Sequence, residues 1–261
     1  MPQRHPLRVA WPETIKASST DTRQMLSPAI LIELLHSRRF GVEYQPIVEV
    51  KSGEAYAHEA LARFYTAAGA AVPPQAVFDA LEAHPLALYQ VEHTLKRLQI
   101  DESPAGMLFI NLDPDTFHIA SKDKGPHPLV DLVSGRAGLT VEIIENSSSG
   151  DADRSLAMAD AFAARDVRLA LDDIGAPASV LSLPVLLQMD YLKFDRHWWQ
   201  HWHSPGYRKL LQTLVRFARE HGQATILEGV ETVAHWEAAM DLGVDYVQGF
   251  FFRDCFHSVH P

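Results

Sequence analysis

Strand-like and helical stretches alternate along this chain with a regularity that few architectures can satisfy. Two strand-like runs, 42–50 and 55–64, are joined by Lys51-Ser52-Gly53-Glu54 and read as a hairpin. Further runs rich in β-branched and aliphatic residues follow at 107–110, 139–145, 167–171, 190–195, 224–227 and 244–247. Between them lie stretches with apolar residues at helical spacing, at 73–83, 86–98, 129–133, 151–165, 207–221 and 233–242. A further helix precedes the hairpin at 27–39, with Ser27 as its cap and Pro28 in its first turn. Eight strands with helices between them predict an α/β fold, a TIM-like (β/α)8 barrel, over a sandwich or a helix bundle. Such a barrel takes about 250 residues as one unit. The 261 residues, 47% hydrophobic, suffice for one large core, so residues 25–261 read as one domain and residues 1–24 as a polar N-terminal extension.

Charge and cysteine usage narrow the function classes. A formal net charge of -10 argues against a protein that grips DNA or RNA polymers, which needs a basic stripe to neutralise phosphates. Cys255 is the only cysteine, which excludes a disulfide framework and a cysteine-rich zinc site and suits a reducing, cytoplasmic setting. No run of about 18 uncharged apolar residues occurs, so neither a membrane span nor a signal peptide is expected.

In a barrel every strand delivers its C-terminal end to one face, where residues far apart in sequence meet. The pivot is the run 167–171, which stops on Asp172 and Asp173 as the chain leaves the strand, so that both acids can bend toward one site. The other strand ends contribute Glu59, Asn111, Glu142, Lys193, Glu228 and Gln248. Any one of these acids alone reads as a solvated loop charge or a helix cap. Their recurrence at strand ends is what makes a site. Five carboxylates in one cleft raise each other's pKa unless cations compensate them. Oxygen donors without His or Cys suit Mg²⁺ or Mn²⁺. Two such ions, about 4 Å apart and sharing a carboxylate, would generate a nucleophilic hydroxide and neutralise a phosphoryl group.

Seven segments then fall in the order of one known family. They are Tyr44-Gln45-Pro46-Ile47-Val48 with Glu59-Ala60-Leu61-x-Arg63, Ile110-Asn111-Leu112, Glu142-Ile143-Ile144-Glu145, Asp172-Asp173-x-Gly175, Leu192-Lys193-Phe194-Asp195, Glu228-Gly229-Val230-Glu231-Thr232 and Tyr246-Val247-Gln248-Gly249-Phe250. Over roughly residues 25–253 the chain resembles the EAL domain, the cyclic di-GMP phosphodiesterase family. The resemblance implies a barrel whose first strand runs opposite to the rest, and hydrolysis of cyclic di-GMP to linear pGpG. It further implies that Glu59, Asn111, Glu142 and Asp172 hold one ion, and that Asp172, Asp173 and Glu228 hold a second. Lys193 would stabilise charge at the attacking water and scissile phosphate, with Glu228 the alternative proton acceptor. Arg63 would fork onto a substrate phosphate, Gln45 and Gln248 would line the cleft, and Glu145 would tether the loop after the Asp pair. Pairing as a homodimer through surfaces near that loop is implied too.

That loop departs from the family pattern. Where the family has Phe-Gly-Thr-Gly-Tyr-Ser-Ser, this chain has Ile174-Gly175-Ala176-Pro177-Ala178-Ser179-Val180, losing a hydroxyl at Ala176 and a backbone N–H at Pro177. A weak or inactive EAL domain that binds cyclic di-GMP as a receptor or signalling module is therefore the alternative to an enzyme. The segment Trp198-Trp199-Gln200-His201-Trp202-His203 reads as a packing or partner-facing stretch. His58 should point away from its neighbour Glu59, and Cys255 has no visible activating partner.

Overall fold

A computed structural model describes residues 26–120, 127–144, 149–177 and 180–261. The extension 1–24 and Glu145 lie outside the described residues. In chain order the elements are α1 (Pro28–Ser37), β1 (Phe40–Glu49), β2 (Ala55–Tyr65), β3 (Ala71–Val72), α2 (Pro74–Leu81), α3 (Pro85–Asp101), β4 (Met107–Asn111) and α4 (Pro114–Ala120). Then come α5 (Pro128–Ser134), β5 (Leu139–Ile144), α6 (Ser149–Ala163), β6 (Arg168–Ile174), α7 (Leu183–Leu186), β7 (Tyr191–Phe194), α8 (His197–Gln200) and α9 (Pro205–Glu220). The last are β8 (Ala224–Leu227), α10 (Val233–Leu242), β9 (Tyr246–Val247), a 3-10 turn (Phe250–Cys255) and β10 (His257–Val259).

Eight strands close the barrel in the order β1, β2, β4, β5, β6, β7, β8, β9 and back to β1. Among the described residues only β1 runs against its barrel neighbours, pairing antiparallel with both β2 and β9, while the remaining barrel pairings are parallel. The expected barrel and its reversed first strand are therefore present. The sequence reading did not anticipate β3 and β10, which extend β2 and β1 beyond the ring, nor α4, whose first residue is the helix-compatible Pro114.

Apolar faces set the layers. Helices such as α9 turn Leu211, Val215 and Ala218 onto the strands. Leu34, Phe40, Phe64, Val77, Leu81 and Leu95 form a separate cluster where α1, α2 and α3 cover the hairpin. Ser27 caps α1 by accepting a hydrogen bond from the Ile30 amide, and Thr232 caps α10 through the amide of His235. Inside the ring, Ile47, Ala57, Phe109, Ala170, Tyr191 and Ile226 form an apolar plug.

The plug decides where the site stands. Side chains on a strand alternate faces, so the residue two positions beyond each plug residue also points inward, one layer nearer the mouth. Two steps lead from Ala57 to Glu59, Phe109 to Asn111, Ala170 to Asp172, Tyr191 to Lys193 and Ile226 to Glu228. On reversed β1 the step runs backward, from Ile47 to Gln45.

Candidate active site

Several site residues stand inside their strands, one layer below the rim, where sequence reading had them at strand ends. Glu59 lies in the middle of β2, and Lys193 one residue before the end of β7. Lys193 is completely buried, and its ammonium lies 2.6 Å from Glu142, 2.9 Å from Glu228, 3.0 Å from Asp172 and 3.5 Å from Glu59. Asn111 and Glu142 are register partners on β4 and β5. Asn111 Nδ2 donates to Glu59 Oε1 at 2.8 Å, which leaves its amide oxygen as the donor atom a hard cation prefers. Gln248 lies on the cavity wall and gives its amide to Glu59 Oε2 at 2.6 Å.

How two adjacent acids reach one site is visible in β6. The ladder with β7 slips between Leu171 and Ile174, a bulge, and Asp173 there adopts a left-handed backbone with φ 58°. A non-glycine residue in that region costs on the order of 1–3 kcal/mol, a strain tolerated best by Asp and Asn and concentrated at functional sites. The Asp173 amide turns back onto Asp172 Oδ1 at 2.9 Å. Without the bulge the two carboxylates would face opposite sides of the sheet.

Carboxylate oxygens of Glu59, Glu142 and Asp172 lie within 4.8 Å of one another, and so do those of Asp172, Asp173 and Glu228. The two triads share Asp172. Electrostatics follow from burial and crowding. Burial, then the Glu59 charge, pushes Glu142 well above the usual carboxylate range. Burial and Asp172 raise Asp173 to about 6. Burial, opposed by Lys193 and reinforced by Asp172, raises Glu228 to about 8. Burial also works against the charge on Glu59, but Lys193 with the hydrogen bonds from Gln248 and Asn111 holds it below its ordinary value. Burial would discharge Lys193, yet Asp172, Glu142, Glu228 and Glu59 outweigh it and raise its pKa well above the ordinary value. Among the described residues Glu142 Oε2 is buried with no hydrogen-bond partner. Lys193 cannot neutralise five acids, so the donor set and the orphaned oxygen fit divalent cations.

The cluster floors a cavity of about 350 Å³ lined by Gln45, Leu61, Arg196, Glu231 and Phe250 among others. Beside it a larger cavity of about 780 Å³ runs over Arg63, Pro74, Phe78 and Leu88. Sequence reading did not single out Glu43, which binds Arg63, nor the task of the tryptophans. The Trp198 indole N–H donates to the Ile174 carbonyl, and that of Trp199 to the Glu228 carbonyl, both at 2.7 Å. These indoles brace the β6 and β8 ends from outside the barrel. Gly175, at φ 94°, passes over Trp198, whose ring fills the space a Cβ would need. The packing reading of this segment therefore holds for Trp198 and Trp199, and its place just beyond the Lys193 strand was the signal available for it.

Fold and site together define a TIM-like barrel with an acidic mouth suited to divalent cations. The chain belongs to the EAL domain family, whose model matches residues 24–254. A probable cyclic di-GMP phosphodiesterase, PdeN of Escherichia coli (strain K12), is 24% identical over 230 residues, which cover 85% of this chain and 44% of PdeN. The phosphodiesterase PaMucR, solved as a c-di-GMP complex, superposes with a TM-score of 0.70 at 26% identity, over 85% of this chain and 94% of that one. Klebsiella pneumoniae BlrP1, solved as a manganese and cyclic di-GMP complex, shares the fold with a TM-score of 0.68 at 24% identity, over 85% of this chain and 56% of that one. This chain spans less than half the length of the first curated relatives, from 30% to 44%. Among the described residues no helix is long and apolar enough to cross a membrane.

Proposed function

We propose that this chain is a metal-dependent phosphodiesterase that hydrolyses cyclic di-GMP to linear pGpG, with residues 25–261 as the catalytic domain. The observation that carries the reading is the pair of acid triads sharing Asp172 around the buried Lys193. Glu59, Asn111, Glu142 and Asp172 would hold one Mg²⁺ or Mn²⁺, and Asp172, Asp173 and Glu228 a second. When bound, the ions supply positive charge for the phosphoryl group and an acidified water.

The protein's own groups divide the remaining work. Lys193, whose ammonium stands among Glu142, Glu228, Asp172 and Glu59, would donate to the negative charge that develops on the phosphoryl oxygens. Glu228, on the rim of the cluster beside the second-ion position, would be the carboxylate that accepts the proton of the attacking water. Water oxygen bonds to phosphorus, one P–O ester bond breaks, and the departing ribose oxygen takes up a proton. Arg63 and Gln45 hold the nucleotide's phosphates, and the two cavities together give an extended dinucleotide room.

A second reading, a receptor that binds cyclic di-GMP without turnover, is favoured by the loop after the Asp pair, where Pro177 offers no backbone N–H. A hydrolysis assay titrated with Mn²⁺ and Mg²⁺ separates the two. Metal-dependent release of pGpG is expected, and tight binding of cyclic di-GMP with no product at saturating Mn²⁺ would leave the receptor.

A further inference from the structure

The two side chains assigned to substrate phosphate, Arg63 and Gln45, both already face one carboxylate. Glu43, Gln45 and Ile47 occupy one face of β1 by the two-residue period of a strand, and Ile47 belongs to the apolar plug. Because β1 runs opposite to its neighbours, Glu43 comes out at the mouth, above Gln45. On β2 the matching line climbs through Ala57, Glu59, Leu61 and Arg63, with Gln45 opposite Glu59 and Glu43 opposite Leu61.

Glu43 Oε1 accepts a hydrogen bond from Arg63 Nη2 at 2.5 Å and another from Gln45 Nε2 at 2.9 Å. One anionic oxygen that receives a guanidinium and an amide from different strands sits as a phosphate oxygen would. Arg63 Nη1 donates to the Ala62 carbonyl at 2.8 Å, so both terminal nitrogens of the fork already carry a protein acceptor. The Arg63 and Glu43 side chains are 29% and 23% exposed, which leaves the pair open to competition from solvent and from an anionic ligand. Charge adds to the effect. Glu43 cancels Arg63 at the mouth of a cleft whose floor already carries five acids.

We propose that Glu43 is a built-in competitor for the substrate phosphate, a gate that a ligand must displace from Arg63 and Gln45 and that sets the affinity of the cleft for cyclic di-GMP. The inference rests on the phosphodiester reading of that cleft. It is tested by titrating wild type, Glu43→Gln, Arg63→Ala and the double variant with cyclic di-GMP by calorimetry in EDTA, at low and at high salt, with KM in Mn²⁺ as a second readout. Glu43→Gln keeps the shape and removes the charge. It should tighten binding roughly tenfold or more, the worth of one charge-assisted hydrogen bond. The gain should shrink at high salt and vanish when Arg63 is Ala. If Arg63→Ala binds as wild type does, or if no form binds at all, the phosphate-binding reading fails. If Arg63→Ala weakens binding while Glu43→Gln leaves it unchanged or weakens it too, the competitor is overturned and Glu43 is a positioning partner of Arg63.

Discussion

Lys193→Met should reveal what holds the acid cluster together. The substitution keeps a long unbranched side chain and removes the one ammonium that stands 2.6–3.5 Å from four carboxylates. Breaking a buried ionic contact by deleting one partner costs about 3–5 kcal/mol. A domain of this size loses about 2–4 °C of Tm per kcal/mol, so melting in EDTA at pH 8 should fall by about 6–20 °C. The loss should depend on pH with a definite sign. Lys193, its pKa raised in the fold, contributes stability that is fully present below the unfolded-state value and is lost only as pH rises through the folded one. Asp173 and Glu228, raised to about 6 and about 8, bind protons in the fold that the unfolded chain has released, so their contribution falls as pH rises from about 4 toward 8. Lys193 holds both acids down, so its removal raises them further, and the variant's deficit should be smaller at pH 5, where protons can replace the missing charge, than at pH 8. Mn²⁺ at a hundred times its Kd returns about 2.7 kcal/mol to any protein that binds it only when folded. It should rescue the variant at pH 8 by more degrees than it stabilises wild type, because it replaces the missing charge. Scanning calorimetry at both pH values, with EDTA and with Mn²⁺, measures all four differences. A deficit that is the same at pH 5 and pH 8 and indifferent to Mn²⁺ would refute the reasoning and make Lys193 a packing residue.

Three further outcomes are expected. Glu59→Ala, which removes the acid bonded to both Asn111 and Gln248, should take pGpG release below detection, and unchanged activity would contradict its place as a cation ligand. Trp198→Phe removes one indole N–H from the Ile174 carbonyl at a cost of about 1 kcal/mol, and should weaken Mn²⁺ binding measured by calorimetry more than Trp202→Phe does, since Trp198, unlike Trp202, bonds the β6 end. Restoring Thr at 176 and Gly at 177 should raise kcat if the altered loop limits turnover; an unmoved kcat places the limit elsewhere.

The regular alternation of strand and helix was legible because its two periods, 2 and 3.6, are local properties of the chain, and they fixed barrel class, strand number and the inward parity of Glu59, Asn111, Glu142, Asp172, Lys193 and Glu228. That Asp172 and Asp173 could both turn toward one site was legible from the strand ending on them, but not the means by which they do so. Those are the bulge and the left-handed Asp173, which depend on how β6 pairs with β7. Short strands such as β3 and β10 escaped notice for a related reason: two or three residues carry no measurable period. Glu43 was invisible as a partner of Arg63, because twenty residues separate them and only the antiparallel register of β1 and β2 brings them together. The chain thus set by itself which residue types point into the barrel, since side-chain parity follows from the backbone alone. Which oxygen touches which nitrogen was decided by ring closure and strand register, because those distances link residues that nothing local in the chain holds together.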